Sequence, residues 1–166
     1  MKIGLLSDTH NYLDPLVFEY FAECDQIWHA GDFGSIEVSE QLSQFKPLLG
    51  VYGNIDGADI RMEHPLDRRW NCEGMDVWMT HIGGYPRHYK KRIREKIHRD
   101  PPDLFICGHS HILKIVRDHV LNGMLVINPG AAGRYGFHQV RTLVRFEITD
   151  GKMHNVEVIE LGFRTS

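Results

Sequence analysis

Seven oxygen- and imidazole-bearing side chains stand where short apolar runs of this chain end. Asp8 and His10 follow Ile3-Gly4-Leu5-Leu6, Asp32 follows Ile27-Trp28-His29-Ala30-Gly31, and Asn54 follows Leu48-Leu49-Gly50-Val51-Tyr52-Gly53. His81 follows Val77-Trp78-Met79-Thr80, and His109 and His111 follow Leu104-Phe105-Ile106-Cys107-Gly108. A run of four or five apolar residues reads as a buried strand, and ligands of layered α/β folds gather at the carboxyl ends of strands. Two carboxylates, one amide and four imidazoles are too many donors for one ion. They suit a pair of divalent metals that share a bridging carboxylate, the arrangement used to hydrolyse phosphate esters.

Spacing within the blocks supports chelation. Asp8 and His10 lie two residues apart, as do His109 and His111, so in an extended segment each pair projects to one side. Gly31, Gly53 and Gly108 each immediately precede a donor, where a missing Cβ permits a sharp turn and close approach to a bound anion. Gly83 and Gly84 follow His81 and could turn backbone N–H groups toward phosphate oxygens. One Asp-x-His pair alone would read as a surface turn; the full series, each member at the end of an apolar run, points to a metal centre.

The elements that must position these donors are legible from caps and periodicity. Asp14-Pro15 reads as an N-cap and first helical residue, which predicts a helix over 14–23. Ser35 caps a second helix carrying Val38, Leu42 and Phe45, stopped by Pro47. The first fifty-odd residues are therefore β-α-β-α-β, a parallel arrangement. Beyond residue 66 a hairpin over 69–80 turns at Glu73-Gly74, and segments 113–120, 124–128, 142–148 and 153–161 read as mostly antiparallel strands. Together they predict an α/β fold: a four-layer αββα sandwich of two mixed β-sheets flanked by helices. Residues 1–166 form one domain on this reading, without repeat or linker.

Composition excludes several functions. The net charge of -3 gives no overall case for a nucleic-acid or membrane partner. The local exception is residues 85–99, with seven Lys or Arg against Glu95 and with Tyr89, Ile93 and Ile97 spaced as the apolar face of a helix. Solvated cations on a docked helix are the simpler reading of this stretch, and electrostatic capture of a phosphorylated or polynucleotide partner is the alternative. Cys24, Cys72 and Cys107 are too scattered for a disulfide framework or a thiolate zinc site. Met1-Lys2 runs straight into the first strand, leaving no room for a cleavable signal, and no apolar stretch suits a bilayer span, so a cytoplasmic protein is expected. Trp28, Trp70 and Trp78 read as core.

In their order, Asp8-Thr9-His10, Gly31-Asp32, Gly53-Asn54-Ile55-Asp56, His81 and Gly108-His109-Ser110-His111 resemble the blocks of the calcineurin-like metallophosphoesterases. The short chain and Asn128-Pro129-Gly130 resemble the small bacterial and archaeal phosphodiesterase subgroup, which also includes the retromer scaffold subunit of eukaryotes. The resemblance implies one metal on Asp8, His10 and His111, a second on Asn54, His81 and His109, and Asp32 bridging both. Asp32, Asn54 and His81 are then the catalytic set, and a metal-bridging hydroxide attacks the phosphorus of a phosphodiester or other phosphate ester. The donor set suits two divalent ions per chain, manganese first, with iron, zinc or nickel as alternatives.

Two positions depart from the family pattern. Ile55 stands where many members carry a His or Cys, and Gly83 where many carry a second His, so side chains able to assist a leaving group are missing. Arg134 and His138 lie in a Gly-rich segment long enough to lean over a site, with Arg134 able to meet a substrate phosphate. His29 reads as a hydrogen-bonded core histidine, with support of a ligand as the lesser reading. A scaffold of the same fold that binds a protein partner is the principal alternative to an enzyme, a nucleic-acid binder acting through residues 85–99 is the third, and a homo-oligomer is left open.

Overall fold

The computed structural model describes residues 1–166. The chain runs β1 (Lys2–Leu6), α1 (Leu16–Tyr20), β2 (Gln26–His29), α2 (Ile36–Phe45), β3 (Leu48–Gly50), α3 (Ala58–Glu63), β4 (Asp67–Cys72) and β5 (Met75–Thr80). It continues through α4 (Lys91–Arg99), β6 (Leu104–Ile106), β7 (Lys114–Asp118), a 3₁₀ turn at His119–Leu121, β8 (Met124–Asn128), β9 (Val140–Thr149) and β10 (Lys152–Phe163).

Strand periodicity builds the layers. In β1, Ile3 and Leu5 enter the inner core while Leu6 joins the outer cluster, as side chains alternating across a pleat must. Trp28 of β2 and Val144 and Phe146 of β9 share the inner face. From the other sheet, Met75, Val77 and Met79 of β5, Leu104 and Ile106 of β6, and Leu125 and Ile127 of β8 meet them. Each such side chain, fully buried, contributes about 1.5–3 kcal/mol relative to exposure. Val17, Val38, Leu42 and Ile60 seat α1, α2 and α3 on the outside of the first sheet. Ile93 and Ile97 seat α4 on the outside of the second, against Trp78, Phe105 and Val126. The result is the expected four-layer αββα sandwich.

The first sheet has the order β10-β9-β1-β2-β3 and the second β4-β5-β6-β8-β7. β1, β2 and β3 are parallel and β9 and β10 antiparallel, as read from the sequence. The second half is less antiparallel than expected. β5, β6 and β8 pair in parallel, because α4 carries the chain across the sheet between β5 and β6, and β7 takes the edge beyond β8.

Local boundaries also shift. α1 ends at Tyr20 rather than near residue 23, because Phe21 turns inward to pack its ring over Gly4. The carboxylate of Asp14 accepts from Leu16 N–H at 2.9 Å, so it caps that short helix from just outside it. Ser35 occupies the N-cap of α2 but its side chain makes no capping bond. α4 begins only at Lys91; Pro86 and Arg87, with φ at 72°, hold the preceding segment out of helix. Tyr89 nonetheless packs with Ile93 and Ile97, and its hydroxyl donates to Asp118 at 2.6 Å. Trp28 and Trp78 are buried, while Trp70 is half-buried at the edge of the core. No helix is long and apolar enough to cross a membrane.

Candidate metal centre

The loops after β1, β2, β3, β5 and β6 converge at one rim, and the candidate donors meet there. Asp8, His10 and His111 form one group and Asp32, His81 and His109 another, with donor atoms in each lying within 4.8 Å of one another. Asp8 Oδ1 is 3.1 Å from His111 Nε2 and 3.7 Å from His10 Nε2. Asp32 Oδ2 lies 3.4 Å from His10 Nε2 and 3.2 Å from His81 Nε2, one imidazole from each group. Asn54 Oδ1 and His109 Nδ1, at the exposed side, are 3.0 Å apart.

Hydrogen bonds outside the cluster determine which nitrogens face inward. His81 Nδ1 is 2.7 Å from the carbonyl of Ala30, so that nitrogen carries the proton and Nε2 is left with a lone pair. His138 Nε2 donates to Gly133 O at 2.8 Å, and its Nδ1 then accepts from His111 Nδ1–H at 3.2 Å. His111 therefore also presents a bare Nε2. A lone pair opposite a carboxylate oxygen is repulsive unless a proton or a metal ion lies between them.

The residues fit divalent ions by an independent observation. Asp8 Oδ1, His10 Nε2 and His81 Nε2 are buried without a hydrogen-bond partner, which is costly for polar atoms unless something else coordinates them. Two ligand atoms about 2.1 Å from one ion, at angles from square to tetrahedral, are separated by about 3.0–3.4 Å. The contacts of Asp8 with His111, Asp32 with His10 and with His81, and Asn54 with His109 all fall in that range.

In the metal-free protein, protons on the imidazoles balance the carboxylates in place of the ions. Burial opposes ionisation of Asp8 and Asp32, but His10 and His111 beside Asp8, and His10 and His81 beside Asp32, hold both carboxyls well below the usual range. Burial pushes His10 down, and the carboxylates of Asp32 and Asp8 overcome it, raising the ring to about 9; His81 is raised in the same way. His109 is lowered, chiefly by burial.

The backbone path differs from the extended one expected. Asp8, His10, Asp32, His109 and His111 all have φ between 45° and 69°, in the left-handed region. Asp8 and His10 thus meet through a tight loop rather than along one face of a strand, and His109 and His111 serve different groups. Asp and His tolerate this region better than most residues, and such strain collects at functional sites. Two glycines make the crowding feasible. A Cβ on Gly31, at φ 101°, would fall 2.6 Å from His81, and one on Gly53 would overlap Asp32 Oδ1. These glycines admit the neighbouring donors themselves, where an approach to an anion was expected.

Several supporting residues act through partners that the sequence did not assign them. Asp56 accepts from Gly53 N–H at 2.8 Å, Gly34 N–H at 2.9 Å and Phe33 N–H at 3.3 Å, which ties the loop of Asp32 to that of Asn54. Ser7 Oγ donates to Asp8 Oδ2 at 2.6 Å. Asn128 donates to Gly108 O at 2.8 Å and to Ser110 Oγ at 3.0 Å, fixing the loop of His109 and His111. His29 is a core histidine, lowered by burial to about 3, yet it meets Thr9 Oγ1 at 3.0 Å and accepts from Gly31 N–H at 3.1 Å, so it also braces two donor loops. Tyr135 packs at a tilt against His10, with ring centroids 5.1 Å apart.

Of the proposed substrate residues, Gly83 is buried against Phe105 and Cys107, where no Cβ fits, and both it and Gly84 line an open pocket beside His109. Arg134 is exposed and lays its guanidinium over Tyr12 at 4.0 Å. Ile55 is exposed, and its N–H donates to Asp32 Oδ1 at 3.1 Å.

Comparison with known proteins adds independent findings. Residues 1–151 match the family described as the calcineurin-like phosphoesterase superfamily domain. A probable metallophosphoesterase of Methanothermobacter thermautotrophicus is 32% identical over 136 residues, covering 79% of this chain and 77% of that one. A phosphodiesterase of Methanocaldococcus jannaschii is 30% identical over 153 residues, covering 81% and 86%. The crystal structure of Vps29 from Entamoeba histolytica complexed with zinc has the same fold, with a TM-score of 0.72 over 99% of each chain at 16% identity.

Proposed function

Because this chain belongs to the calcineurin-like phosphoesterase superfamily and is a metal-dependent phosphoesterase, we propose that it hydrolyses phosphodiesters at a dinuclear centre. The observation that carries the dinuclear reading is the set of buried atoms without partners, Asp8 Oδ1, His10 Nε2 and His81 Nε2, gathered around Asp32. Asp8, His10 and His111 would hold one ion, Asn54, His81 and His109 the other, and Asp32, whose Oδ2 lies near an imidazole of each group, would be shared by both. When bound, the ions supply the Lewis acidity that activates water and stabilises charge on the phosphoryl oxygens, manganese being the first choice for this oxygen and imidazole set.

The chain's own residues account for the rest. Ala30 O fixes the tautomer of His81, and the His138–Gly133 relay fixes that of His111. Both nitrogens of His138 are engaged in that relay, so this ring does not donate a proton to a leaving group. Ile55, beside Asn54, cannot donate one either. Substrates with good leaving groups are therefore favoured. A protein-binding scaffold of the same fold is the other reading, and since Vps29 of that fold was crystallised with zinc, hydrolysis rather than metal binding separates the two.

The test is hydrolysis of a panel of aryl and alkyl phosphodiesters by wild type, Asp32→Asn and His81→Ala. Both variants should lose hydrolysis while keeping the circular dichroism of the fold, since both residues sit at the rim rather than in the apolar layers. Substantial remaining diesterase activity in either would refute the assignment.

A further inference from the structure

Beside the His109 side of the centre lies a pocket of about 420 Å³, within the range of about 300–1,000 Å³ typical of small-molecule sites. Its wall is formed by the loop after β5, the start of α4, and the segment from Gly108 to Lys114, with His109 itself part of the lining. Five cations line it, Arg87, Lys90, Lys91, Arg94 and Lys114, and no Asp or Glu does. Elsewhere on α4, Arg92 pairs with Asp67 and Arg99 with Glu95, while Lys96 lies over the ring of Trp78. The five pocket cations have no carboxylate partner; Arg94 donates to the carbonyl of Tyr89, and Lys114 sits 4.1 Å over the ring of Tyr85.

Crowding like charges in a concave wall is unfavourable, and in a chain of net charge -3 it is not a by-product of general basicity. It focuses positive potential beside His109 of the donor cluster. Arg87, held at φ 72°, adds the strained backbone that gathers at ligand sites.

We propose that this pocket binds a second phosphate group of the substrate, so that the natural substrate is a phosphodiester carrying at least one further phosphate. The inference rests on the phosphodiesterase reading and narrows its substrate class. The scissile phosphate would lie at the donor cluster and the second among Lys90, Lys91 and Lys114. A bounded pocket rather than a long basic track favours a small multiply phosphorylated ester over a polynucleotide.

Two measurements on the zinc-loaded protein test this. In the first, inorganic phosphate is titrated while backbone amide resonances are followed. Gly84 and Lys91 should show saturable shifts that disappear in a Lys90→Gln/Lys91→Gln/Lys114→Gln variant, while shifts at Asn54 and His81 persist. Absence of the Gly84 and Lys91 shifts in wild type, or their survival in the variant, would overturn the pocket assignment. Shifts at Gly84 and Lys91 with none at Asn54 and His81 would instead sink the metal-centre reading and leave the pocket as a phosphate site. In the second measurement, kcat/KM is compared for the p-nitrophenyl ester of thymidine 5′-phosphate with and without a 3′-phosphate. The triple variant should lose on the order of tenfold on the doubly phosphorylated ester only, as expected for removal of several solvent-facing ion pairs. Equal losses on both esters, or no preference in wild type, would overturn the proposal.

Discussion

Removing the imidazole of His138 should weaken one metal site and spare the other. His138 touches the centre only through His111, whose Nδ1 lies 3.2 Å from its Nδ1, and its own Nε2 is anchored on Gly133 O at 2.8 Å. In His138→Ala, His111 Nδ1–H loses its acceptor and the ring no longer favours the tautomer that presents Nε2 to Asp8. Losing such an outer partner typically costs about 10–100-fold in metal affinity. That corresponds to about 1.4–2.7 kcal/mol. Because His111 belongs to the Asp8 and His10 group, only one of two dissociation constants should change. Competition with a chromophoric chelator at fixed pH resolves the two. His138→Asn retains an acceptor oxygen and should recover much of the loss. Unchanged constants, equal weakening of both, or no difference between the Ala and Asn variants would refute the tautomer relay.

Metal loading near pH 7.5 should release protons, because Asp32 and Asp8 overcome burial to keep His10 charged up to about 9 while a metal needs its lone pair. Calorimetry in two buffers of different ionisation enthalpy reads the release, and apparent affinity should rise with pH toward about 9. By the same linkage, charged His10 stabilises the metal-free fold fully below its ordinary 6.5, and that contribution is lost as pH rises through about 9, which urea titrations of metal-free protein would show. Wild-type rates should fall steeply as leaving-group pKa rises, and Ile55→His should flatten that slope if its ring reaches the departing oxygen, general acid help being worth about 10²–10⁴-fold. A shallow wild-type slope, with chemistry limiting the rate, would mean that another proton donor is present. Asp14→Ala should destabilise the fold by about 3–5 kcal/mol, since it strands the buried guanidinium of Arg141, whose Nη1 is 2.5 Å from Asp14 Oδ2. Chemical denaturation measures it, and a loss below about 1 kcal/mol, typical of an exposed pair, would show that Arg141 finds other compensation.

Much of this site was legible because its donors sit at strand ends, and strands announce themselves through apolar runs. Asp8, Asp32 and Asn54 follow from the parallel β-α-β-α-β reading, since parallel strands direct their carboxyl ends the same way, while His81 and His109 follow from ending apolar runs of the same kind. The path between Asp8 and His10 was not legible. An i, i+2 pair reads as extended, and only the packing of the rim shows the left-handed turns that bring them together. The roles of Asp56 and His138 depend on partners 22 to 27 residues away, which no local pattern reveals. The parallel pairing of β8 was hidden because its apolar run is the same whether its neighbour is parallel or antiparallel. The basic stretch near residue 90 was visible in sequence, but its facing of Lys114 and His109 across a pocket is a product of the fold.

The most direct test of a dinuclear hydrolytic centre is the rate of bis(p-nitrophenyl) phosphate hydrolysis followed against bound manganese per chain as metal-free protein is titrated. With Asp32 bridging two half-sites, the rate should stay low through the first bound ion, rise with the second and level off at two. A rate that saturates at one bound ion, or that never appears at two, would contradict it.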